Sequence, residues 1–200
     1  MKKTYKYLFL ILITFTLFLN QRCDILENFF LNLPLKQGIT ATGTNTTISS
    51  SETVYLSDYD GYADNIDEIE NVTYLAALYR TLPRGENPNS PPDSLDLTPG
   101  LVGEDILVTV TDGDGNIVFT RSLPSAVAED YLETPYEVEL SGNEITLMNQ
   151  YLADFKDPVK RDLLSFTGTI TMNGVPAPPA GQVNVLPGMV EILLEIEIKP

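Results

Sequence analysis

Glu191-Ile192-Leu193-Leu194-Glu195-Ile196-Glu197-Ile198-Lys199 is the stretch from which the rest of the chain can be read. Ile192, Leu194, Ile196 and Ile198 alternate with Leu193, Glu195, Glu197 and Lys199. Successive side chains of a strand point to opposite faces, so this order builds one apolar face and one mostly charged face. At helical spacing the same residues would scatter around the axis. The stretch predicts a strand of an antiparallel sheet, buried on one side and wet on the other.

The same period of two recurs upstream. Phe166, Gly168, Ile170 and Met172 alternate with Thr167, Thr169 and Thr171. Asp105 to Leu123 reads as a hairpin, with Ile106 to Val110 and Ile117 to Phe119 joined by Asp112-Gly113-Asp114-Gly115-Asn116. Its glycines can supply the positive φ of a tight turn. Val72 to Leu82 has few charges and reads as a central strand, while Gly38 to Thr42 and Thr53 to Leu56 are weaker strand candidates. One segment departs from the rule. Ile145, Met148, Leu152 and Phe155 recur at helical spacing with Leu147 and Tyr151 beside them, so a helix is expected over about 143–156, with Asn143 as N-cap and Glu144 at its positive end. Two proline-rich segments, Pro83 to Gly100 and Gly174 to Gly181, cannot be central strands. The expected fold is mainly β: a single antiparallel-dominated β-sandwich, immunoglobulin-like or related, with one helix near 143–156. Its expected span is residues 38–200, behind a tether over 23–37 and a signal peptide or short N-terminal anchor over 1–22.

The N-terminus addresses the chain. Lys2, Lys3 and Lys6 precede an apolar stretch from Leu8 to Leu19, followed by Asn20-Gln21-Arg22-Cys23. A basic start and an apolar run of this length have the form of a secretory signal, and the run is shorter than the roughly 20 residues of a transmembrane helix. The segment Met1 to Cys23 resembles the signal of a bacterial lipoprotein, with Cys23 at the position of the lipid-modified residue. The resemblance implies lipid attachment at Cys23 and a place in a bacterial cell envelope, facing periplasm or cell surface. Arg22 stands where lipoprotein signals carry a small residue, so an uncleaved anchor and conventional secretion stay open as alternatives.

The chain has 200 residues and a formal charge of −16. Four of its 12 basic residues and none of its 28 acidic ones precede Cys23, so the chain from Cys23 onward carries −20. Such a surface repels nucleic acid, whose binding depends on Lys and Arg neutralising phosphate. Its first meaning is solubility and self-repulsion. With no histidine and a single cysteine, the commonest general base, a zinc cluster and an internal disulfide are all missing.

Candidate motifs are sparse. Asp58, Asp60, Asp64 and Asp67, near Glu68 and Glu70, form the densest acidic run and the only candidate calcium ligands worth naming. Read as an EF-hand loop from Asp58, the run has Ala63 in the glycine position and Ile69 in the place of the bidentate acid, so the expectation is solvated turns and no metal. The Asp112 turn fails likewise. Tyr55, Tyr59, Tyr62, Tyr74 and Tyr79 could line a carbohydrate or cationic-ligand site, but such rings more commonly fill a core and its rim. No catalytic motif and no cofactor site is found. Three functions therefore compete. The first is a non-catalytic envelope lipoprotein that binds or scaffolds through loops at one end of the sandwich, with an envelope protein or glycan as partner. The second is a carrier of an apolar ligand between the sheets, in a pocket lined by Leu147, Phe155, Phe166 and Ile196. The third is a carboxylate-based hydrolase.

If Cys23 carries the lipid, the chain should take up labelled fatty acid and partition into detergent, and Cys23→Ala should abolish both. Unchanged labelling in that variant would contradict the assignment.

Overall fold

The computed structural model describes residues 29–85 and 96–199. The segment expected to be a signal peptide or anchor, and Cys23, lie outside the described residues, as does most of the first proline-rich segment. Two four-stranded antiparallel sheets face each other. One has the order β1-β8-β3-β6, built from β1 (Phe29–Gly43), β8 (Asn184–Ile198), β3 (Ile69–Thr81) and the two-residue β6 (Tyr136–Glu137). The other has the order β2-β7-β4-β5, built from β2 (Thr47–Tyr55), β7 (Ser165–Asn173), β4 (Asp105–Asp112) and β5 (Ile117–Ser122). All pairings are antiparallel. The expected β-sandwich with one substantial helix is the fold observed.

The C-terminal stretch takes the predicted register. Ile192, Leu194, Ile196 and Ile198 are fully buried, and Glu195 and Glu197 between them are half-exposed. Each apolar side chain removed from water in this way contributes about 1.5–3 kcal/mol. Facing rows from Leu33, Leu35 and Ile39 on β1, Ile106, Val108 and Val110 on β4, and Phe166, Ile170 and Met172 on β7 complete one continuous core. That core draws on residues from both sides of the first proline-rich segment, whose ends Arg84 and Asp96 meet in an isolated bridge. The chain before and after the segment therefore belongs to one sandwich.

Three expectations need correction. The sheet begins at Phe29, not at residue 38, so residues 29–37 of the supposed tether are strand, paired with β8 from Phe29–Ile198 onward. Pro34 is accommodated in this strand because β1 lies at a sheet edge, where one side of the backbone stands outside the ladder. Second, the helix spans Gly142–Leu152, here called α1, and runs on as a 3-10 turn at Ala153–Lys156. Its N-cap is Ser141 and not Asn143. Ser141 Oγ accepts from the Glu144 amide at 3.4 Å, and the Glu144 carboxylate accepts from the Ser141 amide at 2.7 Å. This reciprocal pair satisfies two amides that a cap at Asn143 would leave open. Third, the weak strand at Thr53 to Leu56 is the end of a longer one, Thr47–Tyr55. Its Ser-Ser-Ser-Glu centre has no apolar row to announce it.

Helix α1 also manages an edge. β6 pairs only with Leu78 and Tyr79 of β3. Beyond it, Asn149 of α1 accepts from the Tyr74 amide at 2.9 Å, while Met148, Leu152 and the following Phe155 bury their side chains. A covered strand edge cannot template pairing with another chain.

Gln37 is one of the few polar side chains buried among the described residues. It lies fully buried on the inner face of β1, and its Nε2 donates to the Phe166 carbonyl across the sandwich at 2.8 Å. Its Oε1 has no partner. Gly168 lies beneath it, where a Cβ would collide with that same oxygen.

Ile196→Asp should cost more than about 4 kcal/mol in chemical denaturation, because it buries a charge with no partner between Leu31 and Val72. Glu195→Gln next to it should stay within about 0.5 kcal/mol. Equal effects would mean that the register is wrong.

Candidate functional site

The outward face of the β2-β7-β4-β5 sheet is unlike the rest of the surface. Ser51, Thr169, Thr109 and Thr120 stand side by side across all four strands. Flanking rows are Ser49, Thr171, Leu107 and Ser122 on one side, and Thr53, Thr167, Thr111 and Ile117 on the other. These three rows carry ten hydroxyls and no charge, in a chain of 28 acidic residues. Hydroxyls pair across strands, Ser49 with Thr171 and Thr53 with Thr167 at 2.7 Å, and Thr109 with Thr120 at 3.1 Å. Such pairs leave each hydroxyl with further bonding capacity toward solvent. Neighbouring strands stand about 4.8 Å apart, and alternate residues about 6.6 Å along each strand, so the hydroxyls form a regular array. The opposite outward face has the contrary character. There Lys36 stands beside Glu191, with Glu195 and Glu197 farther along β8.

One end of the sandwich is built from irregular segments. Leu56 donates its amide to the Leu164 carbonyl at 2.9 Å, and Ser57 Oγ to the Asp162 carbonyl at 3.3 Å, so residues 56–68 and 153–164 are joined there. Tyr62 is fully buried between them, its hydroxyl donating to the Arg161 carbonyl at 3.0 Å, and burial raises its pKa to about 12. Tyr151 ties a third segment in. Its hydroxyl accepts from the Gly113 amide at 3.1 Å and the Ser165 amide at 2.9 Å, and donates to the Ser165 carbonyl at 3.1 Å. This one ring fixes α1, the β4-β5 turn and the start of β7. The turn itself is held by Asp112, whose Oδ1 accepts from the amides of Asp114 at 3.0 Å and Asn116 at 2.8 Å, with Gly115 at φ +85°.

The structure disperses the candidate calcium ligands. Asp67 pairs with Arg161 at 2.9 Å, and Asp58 accepts from the Tyr55 amide at 3.3 Å. Among the described residues no three of His, Cys, Asp or Glu converge closely enough to hold a metal ion. The tyrosines divide in a similar way. Tyr62, Tyr74 and Tyr79 are buried, with Tyr74 and Tyr79 also raised to about 12 chiefly by desolvation. Tyr59 holds both backbone groups of Lys36, and Tyr55 remains at the surface. Rings and acids thus form no common site.

Nor do the residues proposed to line a carrier pocket share one. Phe166 and Ile196 are fully enclosed by the core. Leu147 lines a surface cleft of about 460 Å³ with Ile117, Tyr151 and Asp154. Phe155 lines a separate one of about 470 Å³ with Ile69, Asp67 and Arg161. Among the described residues no helix is long and apolar enough to cross a membrane.

The most perturbed acid is structural. Arg121 of β5 clasps Glu144 through both guanidinium ends, with Nη1 to Oε1 at 2.8 Å, and also donates to the Glu139 carbonyl. Together with the Ser141 amide and hydroxyl, Arg121 holds the Glu144 carboxyl at about 2, well below its ordinary 4.5. The capping box signal, Ser141 with an acid three residues on, was present in the sequence, but the arginine partner comes from a distant strand.

No protein-family model and no curated protein matches the chain. A solved structure of Mud crab tombus-like virus aligns with 88% of this chain and 94% of that chain, at 11% identity and a TM-score of 0.33. A likeness this distant carries no argument about function.

Because the folded pKa of Glu144 lies below its unfolded value, its stabilisation is complete above about pH 4.5 and is lost as pH falls toward 2. Glu144→Gln should cost about 1–2 kcal/mol at pH 7, less than the whole shift because the pair keeps some contact with water. The gap between the two proteins should narrow below pH 4.5 and close near pH 2 in denaturation measured across that range.

Proposed function

We propose that the protein is a non-catalytic module of a bacterial cell envelope, anchored through lipid at Cys23, that binds a neutral glycan on the hydroxyl face of its β2-β7-β4-β5 sheet. The observation that carries the reading is the absence of charge over three full rows of that face, in a chain whose portion from Cys23 onward is at −20. Covering a charge costs desolvation energy, and the cores of binding interfaces are accordingly depleted of charged residues. A hydroxyl array can donate to and accept from any hydroxylated surface placed against it. The acids elsewhere disfavour anionic polymers, which leaves uncharged polysaccharide as the matching chemistry. The filled core supports a binding module over a carrier, and the N-terminal segment supports the envelope setting.

Binding to insoluble neutral polysaccharides, such as chitin or β-glucan, should weaken at least tenfold, or about 1.4 kcal/mol, in T169K, at the centre of the array. Glu195→Gln on the other sheet should bind as the unaltered protein does. Retention that survives T169K, or equal retention on anionic alginate, would overturn the reading.

A further inference from the structure

We infer that the protein stands on the membrane on one end of its sandwich and that exposed apolar side chains of that end rest in a zwitterionic lipid interface; the inference builds on the lipid anchor proposed above. Its first ground is chain length. β1 begins at Phe29, six residues beyond Cys23, and six residues span at most about 20 Å. The 15 residues of β8 extend over about 50 Å. Lipid at Cys23 therefore holds the end at Phe29, Ile69 and Ile198 close to the bilayer and sets no such limit on the end at Gly43 and Asn184.

The second ground is where the exposed apolar side chains lie. Phe29 and Phe30 are 50% and 60% exposed at the start of β1. Val159 and Leu163 are 76% and 63% exposed on the segment bonded to this same end, and Ile117 is 64% exposed at the adjoining hairpin. At the far end the exposed large hydrophobics are Val102 and Val183, both less open. Aliphatic and aromatic groups at the rim of a tethered protein gain free energy by entering the interfacial region.

The third ground is charge. Lys156, Lys160, Arg161 and Lys199 are half of the eight basic residues after Cys23, and all four lie toward the tethered end. Lys160, Arg161 and Lys199 are engaged by Asp154, Asp67 and Glu70, so this end offers no net positive field to anionic head groups. A zwitterionic surface is the one it fits.

The chain has no tryptophan, so single tryptophans can report depth. V159W and L163W in the full lipidated chain, in phosphatidylcholine vesicles with brominated acyl chains, should lose emission. V102W and V183W should not. Fatty-acid label at Cys23 is read in parallel. Labelled protein without quenching at 159 and 163, or with equal quenching at 102 and 183, overturns the orientation and leaves the anchor standing. Unlabelled protein without quenching overturns both. Unlabelled protein quenched only at 159 and 163 keeps the lipid-facing end and removes the anchor. Stronger quenching in phosphatidylglycerol vesicles overturns the zwitterionic assignment.

Discussion

Strand β8 hydrogen-bonds along both of its sides, to β1 from Phe29–Ile198 through to Gly43–Asn184 and to β3 from Ile69–Ile198 to Thr81–Gly188. Neither neighbour has another long partner in its sheet. The inner row of β8 supplies the floor on which the opposite sheet packs, so pairing and burial depend on one register. The requirement reaches the smallest residue in the strand. At Gly188 a Cβ would meet Ile170 Cδ1 at 2.5 Å and Tyr79 at 3.1 Å, so the two sheets approach each other there as closely as backbone permits. A register set this way is a long-range condition, joining segments more than 100 residues apart, and folding has to meet it before most apolar area is removed from water.

The fold was legible where side-chain period and burial agree. β4, β5 and β7 were found at close to their expected bounds, and so was the alternating half of β8 from Ile192 onward; the half from Asn184 to Val190 is buried throughout and offers no alternation to read. β2 was only half found because Ser49, Ser50, Ser51 and Glu52 offer no contrast between faces. Its place is set by backbone pairing with β7 and by the hydroxyl contacts that pairing makes possible. β1 was cut short, with residues 29–37 assigned to a tether, because its pairing with β8 is a long-range relation that no single segment reveals. The hydroxyl face was illegible for the same reason. Thr167, Thr169 and Thr171 read as the wet side of one strand, and only the register of three neighbours turns them into a charge-free field.

The acidic residues consequently have a distribution as well as a total. One outward face bears Glu191, Glu195 and Glu197, the other bears none in its three central rows, and the loop-built end holds Lys160, Arg161 and Lys199 in ion pairs. Exposed pairs of this kind contribute little stability each. Their larger effect is on the field around the molecule, which is strong over one sheet and weak over the other. A surface brought up to the hydroxyl sheet therefore meets less electrostatic repulsion at close range than one brought up to the other sheet.

Gln37 gives the two sheets something that apolar side chains alone do not. Leucines and isoleucines facing each other across a sandwich hold it together but are tolerant of how one layer is offset from the other, because contact between hydrocarbon surfaces has no direction. The amide of Gln37 reaches one carbonyl, that of Phe166, and fits over one gap, that at Gly168. Shifting either layer by a residue would strand the amide in hydrocarbon and drive it into a neighbouring side chain. It works as an index pin between two plates: it adds little to the force that clamps them and selects, from several nearly equivalent alignments, the single one that the molecule adopts.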